Sequence, residues 1–83
     1  MIIIYYSIKH LLVMESYYLN SHQQANGDYE VHMSSCKYLP SIANRNYLGL
    51  FSNCKDAVQA AKRVYPSRKI DGCYYCCNPC HTS

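Results

Sequence analysis

The stretch Cys73-Tyr74-Tyr75-Cys76-Cys77-Asn78-Pro79-Cys80-His81 decides how this chain is read, because it sets two C-x-x-C pairs back to back. A gap of two residues lets both thiolates of a pair turn toward one metal ion while the backbone between them forms a tight knuckle. Zn–S bonds of about 2.3 Å demand that convergence. Upstream, His32 and Cys36 stand with three residues between them, His32 at the end of a strand and Cys36 in the loop that follows. With one tail pair they make a tetrahedral set of one imidazole and three thiolates around Zn2+. Spacing alone leaves the tail pair open between Cys73 with Cys76 and Cys77 with Cys80, with His81 a replacement ligand in the second case. Adjacent thiolates at Cys76 and Cys77 point in different directions in most backbone conformations, so one of the two is expected to bind.

The rest of the composition explains why such a staple is needed. The chain has 83 residues, enough for one domain, and its 49% apolar content includes ten tyrosines and six cysteines, which leaves a small aliphatic core. Domains of this size expose much of their surface even when folded and usually add a metal, disulfides or a partner subunit. A net charge of +3 is too weak to announce nucleic-acid or membrane binding, and the apolar content argues against extensive disorder.

Residues 1–13, MIIIYYSIKHLLV, are apolar but interrupted by Lys9 and His10, so no run of about 18 residues is available to span a bilayer. The lysine follows the isoleucines and Met14-Glu15-Ser16 supplies no small-residue cleavage site, which makes a poor secretory signal. This segment is expected to be an N-terminal extension, either an extra strand or sequence upstream of a start at Met14. Residues 14–83 then form a single zinc-binding domain with a cytoplasmic location.

Within that domain Tyr17 to Asn20 and Tyr29 to Met33 read as strands, with Asn26-Gly27-Asp28 as a turn signal between them. After a polar loop from Pro40 to Asn46, Tyr47 to Phe51 reads as a third strand whose Gly49 suggests close backbone approach. Asn53 is the expected cap of a helix beginning at Cys54, since it places Asp56 at the third helical position. Val58, Ala61 and Tyr65, with Cys54, Ala57 and Val64 beside them, make its apolar side, while Lys55, Gln59, Lys62 and Arg63 face away; Pro66 ends it. Ser67 to Gly72 is a connection into the tail. The expected fold class is α+β: a short antiparallel sheet, one main helix and a C-terminal cysteine knuckle, held by zinc.

In order and spacing, the chain from about Tyr17 to Cys80 resembles the metal-binding domain of Ada-type methyl-phosphotriester repair proteins and small uncharacterised bacterial relatives. The matching features are His32-Met33-Ser34-Ser35-Cys36 after a strand, Asn44-Arg45-Asn46-Tyr47 before an apolar strand, Phe51-Ser52 before a helix holding Ala57, and Gly72-Cys73-Tyr74-Tyr75-Cys76. Asn26 to His32 and the closing Cys80-His81-Thr82-Ser83 look more like the uncharacterised relatives. The resemblance implies the metal ligands His32, Cys36, Cys73 and Cys76. It also implies a difference in chemistry, because the repair proteins carry their methyl-accepting thiolate at the first ligand position and here that position is His32. An imidazole cannot serve as the irreversible alkyl acceptor, so the expected role is a non-enzymatic zinc-binding module for protein or nucleic-acid interaction.

Other readings compete with this one. Six cysteines could form disulfides in a secreted protein, against a weak export signal. Cys77-Asn78-Pro79-Cys80-His81 fits the c-type haem attachment pattern, but so short a tail would enclose a haem poorly. A thiol enzyme or alkyl acceptor could use Cys36 or Cys54, the latter at a helix N-terminus; against that, Cys54 reads as a small residue on the apolar helix face with no partner at ligand spacing. Nucleic acid could be bound through Lys37, Arg45, Lys55, Lys62, Arg63, Arg68 and Lys69 with tyrosines as stacking platforms, although the weak net charge favours a solvated face. His10 and His22 are expected at the surface. Partners are otherwise unassigned; the expected state is a monomer or weak homodimer, without membrane attachment.

Overall fold

The computed structural model describes residues 14–82. The expectation of an extra strand or an upstream extension over residues 1–13, His10 included, lies outside the described residues. Four strands and one helix follow in the order β1 (Glu15–Asn20), β2 (Asp28–Met33), β3 (Arg45–Phe51), α1 (Cys54–Val64) and β4 (Lys69–Gly72), with short 3-10 turns at Ile42–Asn44 and Asn78–Cys80. The fold is α+β, and the strands form one sheet in the order β3-β1-β2-β4.

The sheet is mixed where an antiparallel one was expected. β1 pairs antiparallel with β2 and β3, whereas β4 pairs parallel with β2, from Asp28 opposite Lys69 to Val31 opposite Gly72. β4 is the element that sequence patterning misses: Lys-Ile-Asp-Gly has one aliphatic residue and no alternation long enough to detect. Its strand character comes from its neighbour. The chain leaves β3, crosses through α1 and returns beside β2, as a parallel partner must, and the Cys73 N–H extends the ladder to the Val31 carbonyl at 3.0 Å.

Alternation along the strands sorts the core from the surface. Tyr17 and Leu19 of β1 and Val31 of β2 are buried with Ala57, Val58 and Ala61 of α1, and Cys73 and Cys77 complete the cluster. The helix begins as its sequence suggests, the Asn53 side-chain oxygen accepting from the Asp56 N–H at 2.9 Å. Its small residues let it lie close to the sheet. Val64, expected on the apolar side, is exposed in the last turn. Gly49 sits at a β-bulge opposite Tyr17 and Tyr18 with φ of 129°, a left-handed conformation that favours glycine.

Gly72 matters for a different reason. A Cβ at this position would lie 2.7 Å from the Cys77 carbonyl oxygen and 2.8 Å from the Cys80 Cβ. Only a residue without a side chain lets the knuckle fold back over the end of β4. Gly72→Ala should therefore destabilise the protein by about 1–3 kcal/mol, as overpacking does, whereas Asn53→Ala removes one helix cap at a cost of about 1 kcal/mol. Urea unfolding of both variants measures the difference; a Gly72→Ala variant as stable as the parent would show that the knuckle does not press on this position.

Candidate metal centre

β2 ends at Met33, and the chain turns at once, the Cys36 N–H bonding the Met33 carbonyl at 3.0 Å. That turn folds Cys36 back beside His32. β4 ends at Gly72 next to the same end of β2, and the knuckle that follows is closed by the Cys77 N–H to the Cys73 carbonyl at 2.8 Å. Parallel pairing of β2 and β4 thus delivers both halves of the cluster to one place. The ligand atoms of His32, Cys36, Cys73 and Cys76 all lie within 4.8 Å of one another.

Three of the six separations match those of a tetrahedral site. Bonds of about 2.3 Å to sulfur and about 2.0 Å to nitrogen place ligand atoms about 3.8 Å apart for two sulfurs and about 3.5 Å for sulfur and nitrogen. Here Cys36 Sγ stands 3.9 Å from Cys73 Sγ and 3.5 Å from His32 Nδ1, and Cys76 Sγ is 3.9 Å from the same nitrogen. His32 is 2% exposed and Cys73 2%, so two of the four ligands are withdrawn from water. The four residues could hold a metal ion.

The protonation chemistry points the same way. Burial lowers the pKa of His32, which keeps its imidazole neutral and able to donate a lone pair. Burial raises Cys36 and pushes Cys73 up to about 12; Cys76 is raised by its hydrogen bond with Cys77 and then by burial. Buried, crowded thiols resist ionisation, and a divalent cation at their centre would reverse that preference by binding the thiolates directly. Outside the cluster the Glu30 carboxylate stands 3.6 Å from His32 Nε2, longer than a hydrogen bond but in the outer position that carboxylates take behind metal-bound histidines.

The remaining cysteines and His81 go elsewhere. Cys77, adjacent to Cys76, is fully buried in the core, and Cys80 lies with its sulfur 2.9 Å from that of Cys54. Cys54, read from its spacing as having no partner, therefore has one 26 residues away in sequence. His81 is neither frayed nor in the cluster: its Nδ1 lies 3.0 Å from the Gly72 carbonyl oxygen and 3.0 Å from Asp71 Oδ2. The buried Asp71 also accepts from the Thr82 N–H at 2.8 Å and hydroxyl at 3.0 Å, a tail clamp that sequence spacing gave no reason to expect. All six cysteines are free thiols.

Several cations considered for nucleic-acid contact serve the fold. Arg68 stacks between Tyr29 and Tyr65, 4.6 and 4.4 Å from the ring centres. Arg45 lies over Tyr18 at 4.5 Å and donates to the Pro40 carbonyl at 3.1 Å, and Lys69 is 3.5 Å from Asp28. Lys37 stands over Tyr38, while Lys55, Lys62 and Arg63 are exposed along α1. His22 is exposed, its Nε2 2.8 Å from Asn44 Oδ1. Among the described residues no helix is long and apolar enough to cross a membrane. No protein-family model, curated protein or solved structure matches the chain.

Acid should weaken this centre by two routes of the same sign. Protons compete with a metal ion for the thiolates and the imidazole. In addition, an unfolded histidine takes up a proton near pH 6.5 that buried His32 refuses, so stability is lost as the pH falls from about 6.5 toward the lowered pKa. Melting temperature and bound metal should both decline between about pH 7 and about pH 5; a melting temperature that rises on acidification would contradict the assignment of His32 as a buried neutral ligand.

Proposed function

We propose that the protein is a non-enzymatic zinc-binding module whose metal holds the fold together and whose surface serves interaction with another macromolecule. The observation that carries this reading is the convergence of the ligand atoms of His32, Cys36, Cys73 and Cys76 within 4.8 Å of one another, drawn from two distant parts of the chain, with three of their separations close to tetrahedral. One imidazole and three thiolates suit zinc among the common divalent ions. Four protein ligands leave no open position for water or substrate, which favours a structural role over a catalytic one. Six free thiols are in keeping with a reducing compartment such as the cytoplasm.

The likeness to Ada-type domains supports the same reading through the order of the ligands. With His32 standing where those proteins carry the accepting thiolate, it argues for metal binding without alkyl transfer. An exposed aromatic surface beside the knuckle supports an interaction role. Tyr38 and Tyr75 lie with ring centres 4.4 Å apart and Tyr74 meets Tyr75 edge-on at 5.2 Å; all three are exposed, and Lys37 Nζ stands 5.7 Å from the centre of the Tyr38 ring. Such rings supply flat apolar area with a polar tip, the character of residues that anchor interfaces.

Protein purified under reducing conditions should carry one zinc per chain. Cys36→Ser and Cys73→Ser should lose it, and Cys54→Ser should keep it. Structural zinc contributes on the order of 10 kcal/mol in small domains, comparable with their whole stability, so complete chelation should abolish the cooperative thermal transition seen by circular dichroism. An unchanged melt after metal removal, or zinc retained by Cys73→Ser, would sink the proposal.

A further inference from the structure

Three cysteines lie outside the metal cluster, and two of them face each other. Cys54 opens α1 and Cys80 closes the 3-10 turn Asn78–Cys80. Their sulfurs are 2.9 Å apart, with the Cys54 S–H directed at Cys80 Sγ, so about 0.9 Å of movement separates them from the length of a disulfide bond. The approach is built into the fold. Asn53 fixes the start of the helix, and on the other side the knuckle rests on Gly72 while His81 and Thr82 fasten the tail to the buried Asp71.

Both sulfurs are also reachable. An open groove of about 870 Å³ has Cys54, Cys76 and Cys80 in its wall, with Lys55 and Asp56 at the helix end and Tyr17 among the lining residues. Cys54 and Cys80 are partly exposed, whereas Cys77 has no exposed surface. Cys76 belongs to the metal ligands. The groove therefore presents one thiol pair that is not claimed by the metal, at a spacing too short for two corners of a zinc tetrahedron, which lie about 3.8 Å apart.

We propose that Cys54 and Cys80 form a second thiol site, a dithiol that exchanges with low-molecular-weight disulfides entering the groove and closes to an intramolecular disulfide while the metal centre stays intact. In the first step the Cys80 thiolate attacks one sulfur of the small disulfide; that S–S bond breaks, a mixed disulfide forms on Cys80 and one small thiolate leaves. In the second, Cys54 loses its proton and attacks Cys80 Sγ, forming the Cys54–Cys80 bond and expelling the other small thiolate. The protein dithiol is oxidised by two electrons and the small disulfide is reduced to two thiols, which take up the two protons released. This site goes beyond the zinc-module reading and shares none of its ligands.

The test uses the full chain loaded with zinc and exposed to oxidised glutathione, followed by thiol counting, zinc analysis and peptide mapping. The expected result is loss of two of the six thiols, a Cys54–Cys80 cross-link and undiminished zinc. Cys54→Ser should stop at the first step and retain glutathione on Cys80. A cross-link involving any of Cys36, Cys73, Cys76 or Cys77, no thiol loss under oxidising conditions, or a second zinc that disappears in Cys80→Ser would overturn the proposal. Should Cys54→Ser fail to fold, the mapping of the parent protein decides alone. Zinc content reports on the module and the cross-link on the dithiol, so the two can fail separately.

Discussion

The meeting of β2 and β4 in parallel is the constraint on which the site depends. Each strand ends where its cysteine-bearing turn begins, and the register from Asp28 with Lys69 to Val31 with Gly72 brings those ends side by side. Shifting β4 by one residue would turn its side chains to opposite faces and carry Cys73 away from Cys36. The sheet thus sets the size of the metal centre before any ion contributes. An ion held there would join the two strand ends across an otherwise short ladder, which would couple metal binding to folding.

The second constraint is steric and electrostatic together. A chain with so many tyrosines and so few aliphatic residues cannot fill its interior with branched side chains alone. It uses Ala57 and Ala61 to bring α1 close to the sheet and buries Cys73 and Cys77 as core residues. The C-terminal end is held by polar contacts instead, with Asp71 buried beneath His81 and Thr82. That arrangement divides the six cysteines into three groups: three thiols beside an imidazole, a separate pair across the groove, and Cys77 alone in the core. Stacking of Arg68 and Arg45 on tyrosine rings turns basic residues into packing elements.

Much of the architecture was legible along the chain because its signals are local. The cap at Asn53, the 3.6-residue periodicity of α1 and the strand pattern of β1 to β3 each depend on a few neighbouring residues. The spacing of His32 with Cys36, and of Cys73 with Cys76, likewise marks residues that a turn brings together, and the structure places all four in one cluster. The choice of Cys76 over Cys77 was not visible in spacing. It follows from the direction in which the knuckle leaves β4, which sends Cys77 into the core.

Residue pattern along the chain was enough to define the kind of domain and its chemical vocabulary: a small α+β unit with an imidazole and thiols at metal-ligand intervals. Tertiary structure alone decided how those groups are shared. β4 is a strand only because β2 offers it an edge, the sheet is mixed only because α1 carries the chain back on that side, and Cys54 meets Cys80 only because Gly72 lets the tail pass close. Each of these depends on backbone approach between segments far apart in sequence, where steric fit and hydrogen-bond satisfaction, rather than residue pattern, select the outcome.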